Sequence, residues 1–456
     1  MVSTRKLHSD KLTRRVAVSL PGLLPDGSTI LVGLSGGVDS VVLLHLLHHL
    51  ALGHAWQLSA LHVHHGISQN ADIWAEFCAT LCAKLSIPLH TEYVDINPLR
   101  EHGIEDAARQ LRLRAFAAQS CDFVALAHHA DDQAETLLLQ LLRGAGVRGA
   151  AAMPELSAMT SGHRIVRPLL HATRQELLAY ADSQELAWIE DESNADDSYP
   201  RNFLRHRLLP VLAEKFPAYR ETLGRSAQHF AEASELLDGL AQIDSAGAIL
   251  DNTLRVAALQ VVSLARAKNL LRYFLYQLGC PMPQTAQLED MLHQLLSAKA
   301  DAAVCIHFAA CLWQVRRYQG IVHVLRALAD FDRLRILPWQ VGEELAWPAL
   351  NTSFTLSYVT GQGISQAKLQ GAPLTWRLRR GGESLRPYKN SPTRTLKNLL
   401  QEHRVLPWLR DRLPLLYCGE ELVCVPGVAM DASFCSNTDE AGLLIHYAMP
   451  VFLTSC

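Results

Sequence analysis

The chain has 456 residues, too many for one ordinary core; at roughly 150 residues per domain it calls for about three. Apolar residues make up 49% and charged residues 19%, with no low-complexity tract or repeat, which excludes a disordered or fibrous protein. Its net charge of −3 excludes a molecule that is basic throughout, so any nucleic-acid surface has to be a local patch.

In chain order, Arg5, Lys6, Lys11, Arg14 and Arg15 come first, but the apolar stretch after them is short and broken by Pro21, and no export signal is read there. The apolar run 41–52 is interrupted by His45, His48 and His49 and falls far short of the ~20 residues that span a bilayer. No membrane segment is expected, and a cytoplasmic protein is. The ten cysteines, at 78, 82, 121, 280, 305, 311, 418, 424, 435 and 456, form no Cys-x-x-Cys pair, the pattern of scattered reduced thiols.

From 28 to about 166, short apolar runs alternate with longer amphipathic stretches, the pattern of an α/β fold with a doubly wound parallel sheet. Strands are predicted at 29–34, 58–62, 89–94 and 123–127, and helices at about 39–52, 71–86, 104–119 and 131–143. Ligands of such sheets lie outside the carboxyl ends of the strands, so the residues just after 34, 61 and 127 become site candidates. Beyond Pro210 the alternation stops, and 218–299 reads as mostly helical. Past Pro338 shorter β-like runs return, at 374–378, 415–417 and 422–425, between Gly and Pro turns. The expected organisation is a catalytic domain at 1–215, a helical substrate domain at 216–335, a linker at 336–370 and a small mixed α/β domain at 371–456.

The loop Ser35-Gly36-Gly37-Val38-Asp39-Ser40 follows a strand and opens a helix. Its glycines let backbone N–H groups approach an anion, and the helix N-terminus adds partial positive charge, so the loop reads as a phosphate cradle. It lacks the Gly-Lys-[Ser/Thr] of a Walker A loop, and with it the lysine that follows a transferred γ-phosphoryl group. The bland alternative is a glycine turn with no ligand. After the fourth strand, Asp132 and Glu135 stand three apart on one helix face, with His128 four residues before Asp132. Two carboxylates aimed at one point suit an amine, which one can hold and one can deprotonate. A helix cap with an exposed glutamate is the alternative.

Ser-Gly-Gly-x-Asp-Ser resembles the pyrophosphate loop of the N-type ATP pyrophosphatases, which split ATP between the α and β phosphates. The block His128–Gly149, with Arg143-Gly144-x-Gly146-x-x-Gly149, resembles the signature of the tRNA(Ile)-lysidine synthetase family. So do Leu61-His62-Val-His64-His65-Gly66, apart from His64 and Ser68 where asparagine and arginine are expected, and Glu105-Asp-Ala-Ala-Arg109-x-x-Arg112. The resemblance implies an AMP-forming ligase that adenylates the C2 oxygen of the wobble cytidine in a CAU-anticodon tRNA(Ile), after which L-lysine displaces AMP. It assigns ATP to Ser35, Gly36, Gly37, Val38, Asp39, Ser40 and His62, with Asp39 also holding Mg²⁺, and lysine to Asp132 and Glu135. Arg109 is placed facing ATP and the target base, and His128 in the lysine site near the ATP.

In Pro200-Arg201-Asn202-Phe-Leu-Arg205 the proline can open a helix and stack the two arginines on one face. By resemblance Arg201 offsets phosphate charge, and Arg205 supports it or touches tRNA. Between 371 and 412 ten Lys or Arg face three acids, the basic patch that the whole chain lacks. Its motifs resemble the family's C-terminal domain, which grips the tRNA acceptor end and implies tRNA contacts for Arg380, Arg386, Lys397 and Arg410; Lys389-Asn390 stands where a glycine turn is expected. A homodimer is left open. The runner-up reading is a tRNA 2-thiolation enzyme, which would share the ATP loop but needs sulfur-carrying cysteines.

Overall fold

The run Thr29–Gly33 forms β1, whose three middle residues are all buried, as a strand covered by helices on both faces requires. The computed structural model describes residues 2–98, 103–159, 162–299, 302, 304–343, 345–350 and 352–447, so Cys456 lies outside it. After α1 (Val2–Ser19), β1 leads into α2 (Val38–His54), which buries Val38, Val41, Val42, Leu43, Leu44, Leu46 and Leu47; that breadth of apolar surface makes it an interior helix. There follow β2 (Gln57–His64), α3 (Ala71–Leu85), β3 (Leu89–Tyr93), α4 (Ile104–Ala117), β4 (Phe123–Ala125), α5 (Ala130–Leu142), α6 (Val147–Ala150), β5 (Leu156–Ala158), β6 (Arg164–Val166) and α7 (Arg174–Ser183).

The six strands pair in the order β3-β2-β1-β4-β6-β5, parallel except for β5. β1 is held between β2 and β4 through the pairs Ile30 with Leu58 and Ile30 with Phe123. The chain therefore winds outward in opposite directions from β1 and β4, which leaves the crevice at their carboxyl ends as the ligand position. Two loops meet there: the glycine loop after β1 and the His-His-Ala-Asp-Asp segment after β4.

A helical stretch closes this part, with α8 (Pro200–Phe203), a π-turn at Leu204–Leu208, α9 (Leu209–Lys215) and α10 (Tyr219–Ser245). Pro210 lacks the N–H that would continue the ladder, and the widened turn just before it carries Arg205. The chain divides into two compact units between Leu237 and Asp238.

In the second unit, the region expected to be helical holds α11 (Val256–Gln260), α12 (Leu264–Gln277) and α13 (Thr285–Ser297), but also a five-stranded sheet. That sheet is built from β7 (Ile249–Leu250), β8 (Thr253–Arg255), β9 (Val304–Phe308), β10 (Trp313–Tyr318) and β11 (Ile321–Arg326) in the order β7-β8-β11-β10-β9. α12 and α13 seal it with Leu270, Leu271, Phe274, Leu288, Met291 and Leu295, which meet Phe308, Val315 and Val322 in one core.

Residues 336–370, expected as a linker, are instead strands of the C-terminal module: β12 (Leu337–Trp339), β13 (Leu345–Trp347), β14 (Thr352–Thr360) and β15 (Ile364–Ser365). They pair with later segments, β12 with β16 (Leu374–Leu378), and β14 and β15 with β22 (Ala441–Tyr447). Tryptophans explain the correction, since Trp339 and Trp376 meet edge to face at 5.8 Å and Phe354 stacks on Trp376 at 4.4 Å, aromatic burial that a linker would forgo. Between lie β17 (Ser384–Leu385), β18 (Arg394–Thr395), α14 (Leu396–Glu402), α15 (Pro407–Arg410), β19 (Pro414–Cys418), β20 (Glu421–Val425) and β21 (Ala429–Met430).

Candidate active site

Gly37 is the N-cap of α2 and no side chain caps it, so the helix offers its first N–H groups to an anion. Gly36 sits at φ +90, and a Cβ there would lie 2.8 Å from Ile189 Cδ1, so the turn admits glycine alone. Ser40 Oγ donates to the Gly37 carbonyl at 2.9 Å and lies 3.2 Å from Ser35 Oγ, which fixes the loop's curvature. His62, expected at the nucleotide, is 4% exposed and donates from Nδ1 to the Leu34 carbonyl at 2.9 Å. It braces the strand end beneath the loop, and burial pushes its pKa down. The carboxyl ends of β2 and β3 open into a cavity of about 560 Å³ lined by His64, His65, Gly66, Ile67, Tyr93 and Asp95.

The two acids on α5 are both buried, and each meets both arginines of the π-turned helix. Glu135 is 0% exposed; its Oε2 accepts from Arg201 Nε at 2.7 Å and its Oε1 from Arg205 Nε at 2.7 Å. Asp132 Oδ1 accepts from Arg201 Nη2 at 2.9 Å and from Arg205 Nη2 at 3.4 Å. Sequence reasoning put the acids at lysine and Arg201 at the phosphates; the fold brings all four into one network. Burial works against ionised Asp132, but His129 and Arg201 outweigh it and hold the carboxyl below its usual range.

His128 stands at the same edge with its pKa pushed down to about 3 by burial, so it is a neutral imidazole at working pH, and its Nδ1 is buried without a hydrogen-bond partner. Arg109 is exposed on α4, close enough to the buried Arg167 to help lower that guanidinium, after burial, to about 10. Sequence reasoning missed His129. It precedes α5, is 1% exposed, and puts Nε2 3.6 Å from Asp39 Oδ2 and 3.4 Å from Asp132 Oδ2. Its place just before the first turn of an acid-rich helix was the available signal.

Asp39 Oδ1 is buried without a hydrogen-bond partner, a donor oxygen suited to a hard cation. Among the described residues no group of three or more His, Cys, Asp or Glu side chains could hold a metal ion.

The basic stretch in the second unit separates into two halves. Arg377 pairs with Glu420, Arg379 lies by Glu383 and Asp411, Arg394 pairs with Glu402, and Arg412 donates to the Ala329 carbonyl. Arg410 joins this structural half: it donates to the Val405 carbonyl at 2.9 Å and the Tyr318 hydroxyl at 3.0 Å. Arg380, Arg386, Lys389, Lys397 and Arg404 face solvent.

A lysine-free anion cradle on a doubly wound parallel sheet, opposed by a buried acid pair, defines an ATP-using enzyme of the pyrophosphate-loop class. Family models agree: a PP-loop domain matches residues 9–212, a TilS substrate binding domain 254–323 and a TilS substrate C-terminal domain 374–447. A tRNA(Ile)-lysidine synthase of Nitrosomonas europaea is 40% identical over 98% of this chain and 97% of its own, and one of Coxiella burnetii is 36% identical over 94% and 95%. A solved TilS C-terminal domain is 19% identical, with a TM-score of 0.23, over 25% of this chain and 97% of that one. The chain belongs to the tRNA(Ile)-lysidine synthase family. The thiolation alternative is not favoured: Cys78 and Cys82 are buried, with thiols pushed up to about 12 and about 11 by burial, the reverse of a reactive cysteine. Among the described residues no helix is long and apolar enough to cross a membrane.

Proposed function

We propose that this chain joins L-lysine to C2 of the wobble cytidine of a CAU-anticodon tRNA(Ile), using ATP and releasing AMP and pyrophosphate. The cytidine O2 attacks the α-phosphoryl group, and the bond to the β-phosphate breaks. Pyrophosphate leaves against the N–H groups of the glycine loop and α2. The ε-amine of lysine then attacks C2, the C2–O bond breaks, and AMP departs with that oxygen. Mg²⁺, held by Asp39 and the phosphates, would supply charge neutralisation on the triphosphate.

Asp132 and Glu135 already bind two guanidiniums, so the pair is a working organic-cation site. An ammonium takes a guanidinium's place there, which frees Arg201 to turn to the phosphates, and a carboxylate accepts the proton that the amine must lose. His128 supplies a neutral imidazole beside the base. The cavity at the ends of β2 and β3 takes the adenosine. The target base must leave its stack to be reached, which suits an anticodon loop. Solvent-facing Arg380, Arg386 and Lys397 contact tRNA phosphates.

The observation that carries this reading is that the phosphate loop of α2 and the acid pair of α5 meet across one residue, with His129 touching Asp39 and Asp132. The test is incubation with ATP, labelled lysine and total tRNA, followed by nucleoside analysis. Label in a modified cytidine is expected; label on the terminal ribose, or ADP in place of AMP, would overturn it.

A further inference from the structure

Three carboxylates from two helices surround one buried imidazole. His129 Nε2 faces Asp132 Oδ2 at 3.4 Å and Asp39 Oδ2 at 3.6 Å, while Nδ1 lies 3.7 Å from Asp131 Oδ2. The His129 backbone N–H also donates to Asp132 Oδ2 at 3.0 Å. These side-chain separations are longer than good hydrogen bonds, so the Nε2 side of the ring is shared between two carboxylates rather than given to either. Asp132 is thereby divided: Oδ2 is turned to His129, and Oδ1 is turned to the cations of Arg201 and Arg205. Asp131 adds a third tether, since Oδ2 accepts from the Arg174 backbone N–H at 2.9 Å and Oδ1 pairs with Arg220. The imidazole is therefore clamped and cannot follow one acid without leaving the other.

We infer that His129 is a positioning residue that couples nucleotide binding at Asp39 to lysine affinity at Asp132. Two acceptors compete for one ring nitrogen. Once the nucleotide engages Asp39, the ring is released to Asp132 Oδ2, which fixes that carboxylate with Oδ1 aimed at the amine. The gain comes from preorganisation, because the acid no longer has to be ordered by lysine itself. Coupling of this kind commonly changes affinity by about 5- to 150-fold, and about tenfold is expected for one ring shared between two groups. The inference rests on the reading of Asp39 and Asp132 given above.

Calorimetric titration of the full chain with lysine, with and without an ATP analogue blocked between the α and β phosphates, tests it. The wild type is expected to bind lysine about tenfold tighter in the presence of the analogue. In His129→Ala that ratio falls below about twofold. In His129→Gln, whose amide N–H can reach toward the same carboxylates, it lies between the two. A residue that only fills space would weaken lysine equally with and without the analogue; an unchanged ratio in His129→Ala, or a ratio of one in the wild type, overturns the inference. Should His129→Ala fail to fold, the glutamine variant decides by the same criterion. Asp132→Asn separates the two readings: if lysine affinity is unaltered there, the acid site itself is wrongly assigned and the coupling falls with it.

Discussion

Replacing Glu135 by glutamine changes one atom and the charge balance of the buried network. Two carboxylates and two guanidiniums balance; the amide leaves one positive charge uncompensated and turns an NH₂ donor toward a guanidinium. Breaking a buried pair from one side costs ~3–5 kcal/mol. Here the arginine side chains are 29% and 23% exposed and can reach water, so the lower end, about 3 kcal/mol, applies. For a unit of this size that lowers the melting midpoint by about 6–12 °C. On the functional side, a lost charge-assisted contact of ~1.5–3 kcal/mol weakens lysine about 10- to 150-fold. Both are measurable: differential scanning calorimetry for the midpoint, and lysine KM at saturating ATP and tRNA. Because the penalty comes from the orphaned cation, Glu135→Gln combined with Arg205→Gln should recover part of the lost stability. If the double variant's losses simply add, or if lysine KM stays within about threefold of wild type, the charge reasoning is wrong.

Asp39→Ala keeps its fold and melting midpoint but loses tRNA-dependent AMP formation by about 10²-fold or more, read by release of labelled AMP. Because Arg410 is engaged inside the second unit, Arg410→Ala lowers that unit's melting midpoint and leaves the salt dependence of tRNA binding unchanged. Arg380→Ala and Lys397→Ala should each reduce the slope of log K against log salt by about one. Burial holds His128 at about 3 and His45, His65 and His323 at about 4, below the ordinary imidazole value. As pH falls below about 6.5 the unfolded chain takes up protons that these folded histidines refuse, so stability is lost from there down toward pH 4. Melting midpoints should therefore drop between pH 7 and 5.5, and His128→Gln should flatten the drop.

What the sequence determined was local. The glycine loop is recognisable because its requirements lie within six residues: a positive φ at Gly36, an uncapped helix start and no lysine. α5 was expected at 131–143 and runs Ala130–Leu142, and β1 was expected at 29–34 and runs Thr29–Gly33, since burial on one helix face or both strand faces writes its own period. The acid pair was visible as an i, i+3 spacing.

What the tertiary structure decided was every pairing between distant segments. Strand order puts β4 beside β1, and only that adjacency brings His129 against Asp39, 90 residues earlier in the chain. The same holds for the arginines: their spacing announced a cation pair, but only the fold sets Arg201, on α8, and Arg205, in the π-turn before Pro210, against Asp132 and Glu135. Of the ten cations in the basic stretch, Arg377, Arg379 and Arg394 turned out to be paired with acids and Arg410 and Arg412 with carbonyl or hydroxyl oxygens; Glu420, the partner of Arg377, lies outside a count over 371–412. The strands of 336–370 escaped notice for the same reason: short strands are stabilised by partners far along the chain, and a local pattern carries no record of which partner will come.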